Sequence, residues 1–246
     1  MVLEYNPSEI DVVIFCGGKG TRLRDVVSDR PKPMAQVNHR AFLDLLIDYV
    51  MSYGHRRFVL CIGHQKDYIK QYYQGHDKPI EIIFAEEESL LGTGGVLKNA
   101  ESVVKSYPFI IMNGDSFCPV NLHQFVESHK AKQADYSLAL VEQQDAKDYG
   151  SVKLGPSGEI LEFQEKIIRV NGILNAGIYL FNQSIFSTLP LETVCSLEHD
   201  IFPKLIQERF YGYVVQADLI DIGTPERYEQ ALRLFEGDQR GIWVHS

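Results

Sequence analysis

The sequence has few cysteines and no paired spacing among them. Its four cysteines are scattered along 246 residues without a C-x-x-C pair, at Cys16, Cys61, Cys118 and Cys195. Each lies in or beside an apolar run, which is typical of reduced core thiols in a reducing compartment. We therefore expect a cytoplasmic protein.

Long apolar runs and a surplus of positive charge are also missing. No apolar stretch is long enough to span a bilayer, and residues 1–7 lack the basic-then-apolar pattern of a signal peptide. The 24 Lys and Arg residues against 33 Asp and Glu give a net charge of −9, which argues against nucleic acid or a membrane surface as partner. Neither repeats nor linkers interrupt the chain, so we expect a single domain.

Three familiar signatures are absent as well. The sequence has no G-x-x-x-x-G-K-[ST], and Gly18-x-Gly20 would need a third glycine where Leu23 stands to match the dinucleotide fingerprint. It also lacks the D-x-D pair of metal-dependent glycosyltransferases, for which Asp218-Leu219-Ile220-Asp221 is the nearest candidate. These absences exclude a P-loop and a dinucleotide fingerprint.

A glycine-rich, cationic stretch follows the first apolar run. The β-branched run Asp11–Phe15 predicts a buried strand. Three glycines then fall within four residues, where backbone N–H groups can approach an anion closely, and two arginines follow. Between Gly17 and Arg40 six cations stand against two anions. The stretch predicts a phosphate-binding loop, while a tight turn with two solvated arginines stays open as the alternative.

Strand-like and helix-like runs alternate through the first half of the chain. Strand-like runs at residues 11–15, 57–62, 81–85 and 109–112 are separated by helix-like runs at 42–51, 67–73 and 95–105. This order predicts an α/β fold with a three-layer, Rossmann-like sheet that is mixed but mainly parallel. The second half adds a hairpin around Gly155-Pro156-Ser157-Gly158, a strand at 174–181 and helices at 197–209 and 225–237. Ligands bind at the carboxyl ends of strands in such sheets, where the glycine stretch falls.

Seven short motifs together resemble the sugar-1-phosphate nucleotidylyltransferases, a nucleotidyltransferase family with a GT-A-like fold. They stand in the family's order over nearly the whole chain: Gly17-Gly18-Lys19-Gly20-Thr21-Arg22-Leu23 with Pro31-Lys32-Pro33-Met34, Leu91-Gly92-Thr93-Gly94-Gly95, Asn113-Gly114-Asp115, Tyr149-Gly150, Glu165-Lys166, Asn175-Ala176-Gly177 and Asp221-Ile222-Gly223-Thr224-Pro225. The resemblance implies attack of a sugar-phosphate oxygen on the α-phosphorus of a nucleoside triphosphate, with release of pyrophosphate. It also implies two halves of one domain, about 1–120 for the nucleotide and about 121–246 for the sugar phosphate.

The same resemblance assigns catalytic and metal-binding side chains. Arg22 would bind the triphosphate and Lys32 would lie over the α-phosphate, both as catalytic residues. Asp115 and Asp221 would hold Mg²⁺, which takes one or two carboxylates plus phosphate oxygens and water. A helix N-cap is the alternative for Asp221, since a Gly-Thr-Pro helix start follows it. The nucleotide-binding set would include Gly17, Gly18, Gly20, Thr21, Gly92 and Thr93.

Glu87 favours guanine as the base. In uridylyl- and thymidylyl-transferring relatives a glutamine commonly occupies this position, five residues before Gly92. A carboxylate only accepts hydrogen bonds, and the N1–H and N2–H₂ edge of guanine offers two adjacent donors. A charged, solvated loop of three glutamates is the alternative.

The sugar-phosphate side is assigned by resemblance alone. Relatives bind the sugar phosphate at the positions of Asn113, Tyr149, Gly150, Glu165, Lys166 and Asn175. A lysine suits a phosphate, whereas carboxylate and amide groups can bond sugar hydroxyls. A solvated strand end is the alternative for Glu165-Lys166.

The chain resembles D-glycero-α-D-manno-heptose 1-phosphate guanylyltransferases most in its length and in two segments, Val26–Met34 and Ser196-Leu197-Glu198-His199-Asp200. GTP and that heptose 1-phosphate are therefore the expected substrates, and GDP-heptose for surface polysaccharide the expected product. Mannose 1-phosphate, another base and a non-catalytic regulatory subunit are the alternatives. Regulatory relatives tend to lose the catalytic lysine or the metal-binding aspartate, and both are present here. Ile242-Trp243-Val244 leaves a homodimer open, beside a tail folded back on its own core.

Overall fold

A computed structural model describes residues 6–143, 151–164 and 172–236 of the chain. Several residues named above lie outside these ranges, namely Tyr149, Gly150, Glu165, Lys166 and Ile242-Trp243-Val244. No helix in the described ranges is long and apolar enough to cross a membrane.

The strands and helices alternate as the sequence predicts for the first half of the chain. The strands are β1 (Asp11–Phe15), β2 (Gln36–Val37), β3 (Arg40–Ala41), β4 (Arg57–Ile62), β5 (Glu81–Glu86), β6 (Phe109–Asn113), β7 (Ser116–Phe117), β8 (Tyr136–Gln143), β9 (Ser151–Leu154), β10 (Ile160–Gln164), β11 (Gly172–Phe181), β12 (Phe210–Val215) and β13 (Ile220–Asp221). The α-helices are α1 (Phe42–Ser52), α2 (Lys66–Tyr73), α3 (Gly92–Asn99), α4 (Leu122–Ala131), α5 (Ile185–Thr188), α6 (Phe202–Leu205) and α7 (Pro225–Glu236). Short 3₁₀ turns lie at Pro7–Glu9, Thr21–Leu23 and Lys32–Met34, and a π-helical turn at Leu197–Ile201.

Nine of the described strands form one sheet with β1 near its centre. β1 pairs in parallel with β4 on one side and with β6 on the other, and β5 continues the parallel order beyond β4. The antiparallel strand β11 follows β6, and β8 and then β12 complete that side of the sheet. The predicted α/β fold with a mixed, mainly parallel sheet is confirmed.

The strand β11 pairs with two strands along one of its edges, β6 and β9. Its residues 178–181 pair with β6, and its residues 173–174 pair with the β9–β10 hairpin. Gly177 lies between the two segments with φ +73°, and its N–H donates to Asn175 Oδ1 at 2.9 Å. This irregularity divides the strand at the level of the candidate site.

Apolar side chains pack on both faces of the sheet. Along β1, Val12 and Ile14 belong to one core and Val13 belongs to the other, as the alternation of a strand requires. Side chains of α1, α2, α4 and α7 join the first core, and those of α3, α5 and α6 join the second. Three layers result.

Two predicted helices have different bounds in the structure. The run at 95–105 is helical from Gly92 to Asn99, because its glycines pack against the backbone of residue 195, where no Cβ fits. The run at 197–209 is a π-helical turn followed by the short α6, which ends at Leu205. Periodicity alone could not predict these bounds, since the start of α3 contacts residue 195 and the π-helical turn is bonded to Thr93, both far away in the chain.

Candidate active site

The carboxyl ends of β1, β4 and β6 meet at one edge of the sheet. The N–H of Gly114 donates to the carbonyl of Phe15 at 3.0 Å, and the N–H of Cys16 donates to the carbonyl of Cys61 at 2.8 Å. A Cβ on Gly114 would lie 2.5 Å from the oxygen of Phe15, so this close approach requires glycine. The glycine stretch and the Asn113-Gly114-Asp115 motif are thereby held side by side.

The glycine stretch turns sharply into the 3₁₀ turn that carries Arg22. The turn begins at Gly20, which has φ +58° and whose Cβ position lies 3.0 Å from Cβ of Lys32. Leu23 is buried and anchors the turn, whereas Arg22 is exposed. The local fold therefore presents the guanidinium beside Lys32.

Lys32 is held in place by its neighbours. Pro31 and Pro33 are both buried, which fixes the backbone on either side of Lys32. The lysine side chain is only 11 % exposed, and its Nζ donates to Oδ2 of Asp115 at 2.6 Å. A phosphate oxygen approaching Nζ would compete with this carboxylate for the same charge.

The two aspartates of the predicted metal site lie on neighbouring backbone segments. Asp221 pairs with Ser116 across β13 and β7, and the N–H of Ile222 donates to the carbonyl of Asp115 at 3.0 Å. Oδ2 of Asp221 pairs with Arg227 at 2.8 Å, and Oδ1 accepts the N–H of Gly223. The helix α7 begins later, at Pro225, so Asp221 is not its N-cap.

Charged groups of both signs converge on Gly223. A Cβ built there would lie 2.6 Å from Oδ1 of Asp221, 3.4 Å from Nζ of Lys32 and 3.6 Å from Nη2 of Arg22. An open cavity of about 340 Å³ begins at this point. Its walls include Arg22, Lys32, Thr93, Asn113, Asp115 and Gly223. Asp221 lies behind Gly223 rather than in the described cavity wall.

Asp115 and Asp221 suit a divalent cation that takes its remaining ligands from substrate and water. Within the described ranges, no group of three or more His, Cys, Asp or Glu side chains could hold a metal by itself. The carboxylate of Asp221 nonetheless lies beside Gly223, and Asp115, whose side chain is 41 % exposed, lies in the same cavity wall as Gly223. Mg²⁺ typically uses one or two carboxylates and takes its other oxygens from substrate phosphates and water. The residues present suit such a shared site.

Glu87 lies at a second, larger cavity of about 720 Å³. Its carboxylate is 7 % exposed and fills the space beside two glycines: a Cβ on Gly17 would lie 2.2 Å from Oε1, and one on Gly63 would lie 2.4 Å away. The N–H of Leu91 donates to Oε2 at 3.1 Å. Burial raises the pKa of Glu87, and this hydrogen bond lowers it by a smaller amount. A solvated loop is therefore the wrong description of Glu87.

The Leu91–Gly95 motif is fixed by the segment that follows Val194. Gly92 has φ +71°, and a Cβ there would lie 2.5 Å from the oxygen of Cys195. That same oxygen accepts the N–H groups of Gly94 and Gly95. Thr93 faces the smaller cavity, whereas Gly92 is absent from the described walls of both cavities.

Two of the six predicted sugar-phosphate residues lie in the described ranges. Asn113 is in the wall of the smaller cavity. A Cβ on Gly177 would lie 2.7 Å from its Nδ2, so the two motifs touch. Asn175 donates from Nδ2 to the hydroxyl of Tyr179 at 3.0 Å. It is thus held near Asn113, set back from the described cavity wall.

Sequence reasoning assigned no role to three residues of this region, although one of them, Glu198, lies in a segment that resembles the family. Gly63 gives Glu87 its space, and the only available signal was a glycine directly after a strand, as at Gly17. Tyr179 and Glu198 join Asn175 to Thr93 through hydrogen bonds. No sequence signal links positions so far apart.

Comparisons with known proteins identify the family of the chain and several relatives. The family model described as nucleotidyl transferase matches residues 11–236. The D-glycero-α-D-manno-heptose 1-phosphate guanylyltransferase of Aneurinibacillus thermoaerophilus is 34 % identical over 223 residues, which cover 90 % of this chain and 96 % of that protein. The mannose-1-phosphate guanylyltransferase of Mycobacterium tuberculosis is 29 % identical over 89 % of this chain and 63 % of that protein.

A solved structure matches at similar identity. The structure of HddC from Yersinia pseudotuberculosis complexed with GMP-PN superposes with a TM-score of 0.82 and 34 % identity. The match covers 92 % of this chain and 99 % of that one. The fold is therefore shared over most of both chains with a protein whose crystal structure was solved in complex with GMP-PN.

Proposed function

Because the chain belongs to the nucleotidyl transferase family, we propose that it transfers GMP from GTP to D-glycero-α-D-manno-heptose 1-phosphate. The products are GDP-heptose and pyrophosphate. The observation that carries the proposal is the convergence of Lys32, Arg22 and Asp221 on Gly223, with Asp115 paired to Lys32, at the sheet edge where Glu87 is buried against Gly17.

The reaction joins two polyanions, so the site must supply positive charge and alignment. A phosphate oxygen of the sugar 1-phosphate forms a bond to the α-phosphorus of GTP, while the bond from that phosphorus to the bridging β-phosphate oxygen breaks. In this proposal Lys32 and Arg22, which line the smaller cavity, donate to the oxygens on which charge shifts during this displacement. The remaining loop residues, Gly17, Gly18, Gly20 and Thr21, bind the triphosphate in this proposal, with Gly92 and Thr93 beside them.

We assign Mg²⁺ to Asp115 and Asp221. When bound, the cation neutralises phosphate charge and helps to orient the triphosphate. Asp115 would hold the cation through a side chain that is 41 % exposed, and it also accepts from Nζ of Lys32, so the proposed metal ligand and the proposed phosphate-binding lysine are direct neighbours.

Base selection belongs to Glu87 in this proposal. The carboxylate is fixed between two glycines and bonded to Leu91, so it meets a ligand as a rigid acceptor. Guanine offers two adjacent donors to such a group, whereas uracil and thymine would place an acceptor against it. The guanylyltransferase relatives are consistent with this choice.

Among the described residues, Asn113 and Asn175 bind the sugar 1-phosphate in this proposal. Tyr149, Gly150, Glu165 and Lys166 complete the proposed sugar-phosphate set and lie outside the described ranges. In the domain scheme, residues 1–120 bind the nucleotide and residues 121–246 bind the sugar phosphate. Four buried, free cysteines suit the cytoplasm, where nucleotide sugars are made.

Mannose 1-phosphate is the second candidate acceptor, because mannose-1-phosphate guanylyltransferases are 27–29 % identical to the chain. The two sugars differ at C6. A non-catalytic regulatory role is disfavoured by the intact Lys32–Asp115 pair. A homodimer also remains a proposal.

Pyrophosphate release tests the proposed function. The purified protein is incubated with Mg²⁺, either sugar 1-phosphate and each of GTP, CTP, UTP and dTTP. We expect turnover with GTP and heptose 1-phosphate to exceed every other pair. Absence of turnover with GTP, while another triphosphate is used, would overturn the assignment of guanine.

A further inference from the structure

A hydrogen-bonded chain of side chains joins the nucleotide motif to the acceptor motif. Nδ2 of Asn175 donates to the hydroxyl of Tyr179 at 3.0 Å, and that hydroxyl donates to Oε1 of Glu198 at 3.2 Å. Oε2 of Glu198 accepts from Thr93 at 2.7 Å and from Ser196 at 2.9 Å. The π-helical turn Leu197–Ile201 places Glu198 between the two motifs.

The directions of these hydrogen bonds are fixed by proton count. A carboxylate only accepts, so the single hydroxyl proton of Tyr179 points to Glu198, and its oxygen must accept from Asn175. Oδ1 of Asn175 is taken by the N–H of Gly177 at 2.9 Å. The amide of Asn175 therefore cannot flip, and its second N–H hydrogen has one direction.

The hydrogen bonds of Thr93, at the nucleotide end of this series of side chains, are equally constrained. Oγ1 of Thr93 accepts the N–H of Leu197 at 2.8 Å while its own proton goes to Glu198. Thr93 lies in the wall of the smaller cavity, and these two bonds fix the orientation of its side chain. Tyr179 is fully buried, and burial raises the pKa of its hydroxyl well above the ordinary value, so it stays protonated.

We propose that Glu198 and Tyr179 are positioning residues that hold Thr93 and Asn175 in register, so that the nucleotide and the sugar 1-phosphate are aligned together. This inference rests on the proposed function, because Asn175 acts on the acceptor only if the site transfers a nucleotide to a sugar phosphate. Neither Glu198 nor Tyr179 needs to touch a substrate. Alignment of two reactants is where small displacements cost most in rate.

The test compares Tyr179→Phe, Glu198→Gln and Glu198→Ala with the wild type in the full chain. Tyr179→Phe removes the acceptor of Asn175, and we expect about a tenfold rise in KM for the sugar 1-phosphate with KM for GTP within about twofold. Glu198→Ala removes the hydrogen bonds to Tyr179 and to Thr93. The KM values for GTP and for the sugar 1-phosphate therefore both rise, and kcat falls about tenfold or more. Glu198→Gln keeps the side-chain size and one acceptor, so its constants lie between those of Glu198→Ala and the wild type.

Tyr136→Phe is the matched control. Tyr136 is also a buried tyrosine of the sheet, and its hydroxyl donates to Ser184 at 3.0 Å, away from both cavities. We expect its kinetic constants to equal those of the wild type. If Tyr179→Phe and Glu198→Gln keep all constants within twofold, or change only the melting temperature as the control does, the positioning role is overturned.

Failure of the proposed function gives a different result. If the wild type transfers another nucleotide instead of guanylyl, the same comparison is made with that nucleotide. If no nucleotide is transferred, calorimetric titration of the sugar 1-phosphate into wild type and Tyr179→Phe decides. About tenfold weaker binding to the variant supports the inference, and equal affinity overturns it.

Discussion

Lys32 is the residue from which the chemistry is best tested. Its Nζ is paired with Asp115 at the cavity, and removing a donor aimed at transition-state charge typically costs ~10²–10³ in rate. We expect Lys32→Ala to lower kcat by that factor in the pyrophosphate assay while the protein stays folded. Lys78 is also a partly buried lysine paired with an aspartate, Asp48, far from the cavities, so Lys78→Ala serves as control and should retain full activity.

Glu87 determines the base in our account. Glu87→Gln replaces one acceptor oxygen with a donor, which opposes the donors of guanine and suits uracil. We expect kcat/KM for GTP to fall about 10–100-fold, the cost of charge-assisted hydrogen bonds, and the ratio of UTP to GTP use to rise. Steady-state rates with the four triphosphates measure this change. An unaltered preference for GTP would remove Glu87 from the base site.

The raised pKa of Glu87 predicts a pH dependence. The ionised form is the one that accepts both guanine donors, and burial lifts its pKa above that of an ordinary glutamate. Affinity for GTP should therefore fall as the pH is lowered through the raised pKa, at a higher pH than an exposed glutamate would give. Calorimetric Kd values measured from neutral to acidic pH check this. Glu87→Gln should lack that acidic limb, since an amide does not titrate.

Continuous motifs bring their residues to one sheet edge, because a few consecutive residues after a strand stay close to its end. Lys32 and Asp115 line the smaller cavity and Glu87 lines the larger one, while their roles stay predictions. The pattern could not predict Tyr179 and Glu198. Their partners are separated by many residues in the chain, so the hydrogen bonds exist only after folding.

At the level of elements, the start of α3 depends on glycine. Both Gly92 and Gly75 have positive φ, but a Cβ on Gly92 would strike the oxygen of Cys195, whereas one on Gly75 meets nothing within 4 Å. Gly75→Ala should cost about 1–2 kcal/mol of unfolding free energy from the backbone alone. We expect Gly92→Ala to cost about 1–3 kcal/mol more because of the contact. Urea denaturation measures both values, and equal costs would contradict the packing argument.

The bounds of the strands and helices show which elements sequence patterns can predict. The strands β1, β4, β5 and β6 were predicted to within one or two residues, because a buried parallel strand is a short apolar run between turns. The hairpin β9–β10 followed from its Gly-Pro-Ser-Gly turn. The predicted bounds of the helices at 95–105 and 197–209 were wrong. Glycine-rich helix starts and widened turns are stabilised by contacts with other segments, which no local pattern contains.

For the whole molecule, activity should depend on a divalent metal. EDTA is expected to abolish pyrophosphate release, and added Mg²⁺ to restore it. Asp115→Asn and Asp221→Asn should each require more Mg²⁺ for half-maximal rate, since each removes one charged ligand. Asp48→Asn, which lies in the ion pair with Lys78, should need no more Mg²⁺ than the wild type. Full activity in EDTA would contradict the assignment of a metal to the two aspartates.

The fate of the phosphates of GTP tests the central claim most directly. The protein is incubated with heptose 1-phosphate or mannose 1-phosphate and GTP labelled at either the α- or the γ-phosphate, and the products are separated. Our account predicts that the α-label appears in the GDP-sugar and that the γ-label appears in pyrophosphate. Transfer of the γ-label to the sugar phosphate, with release of GDP, would contradict attack at the α-phosphorus.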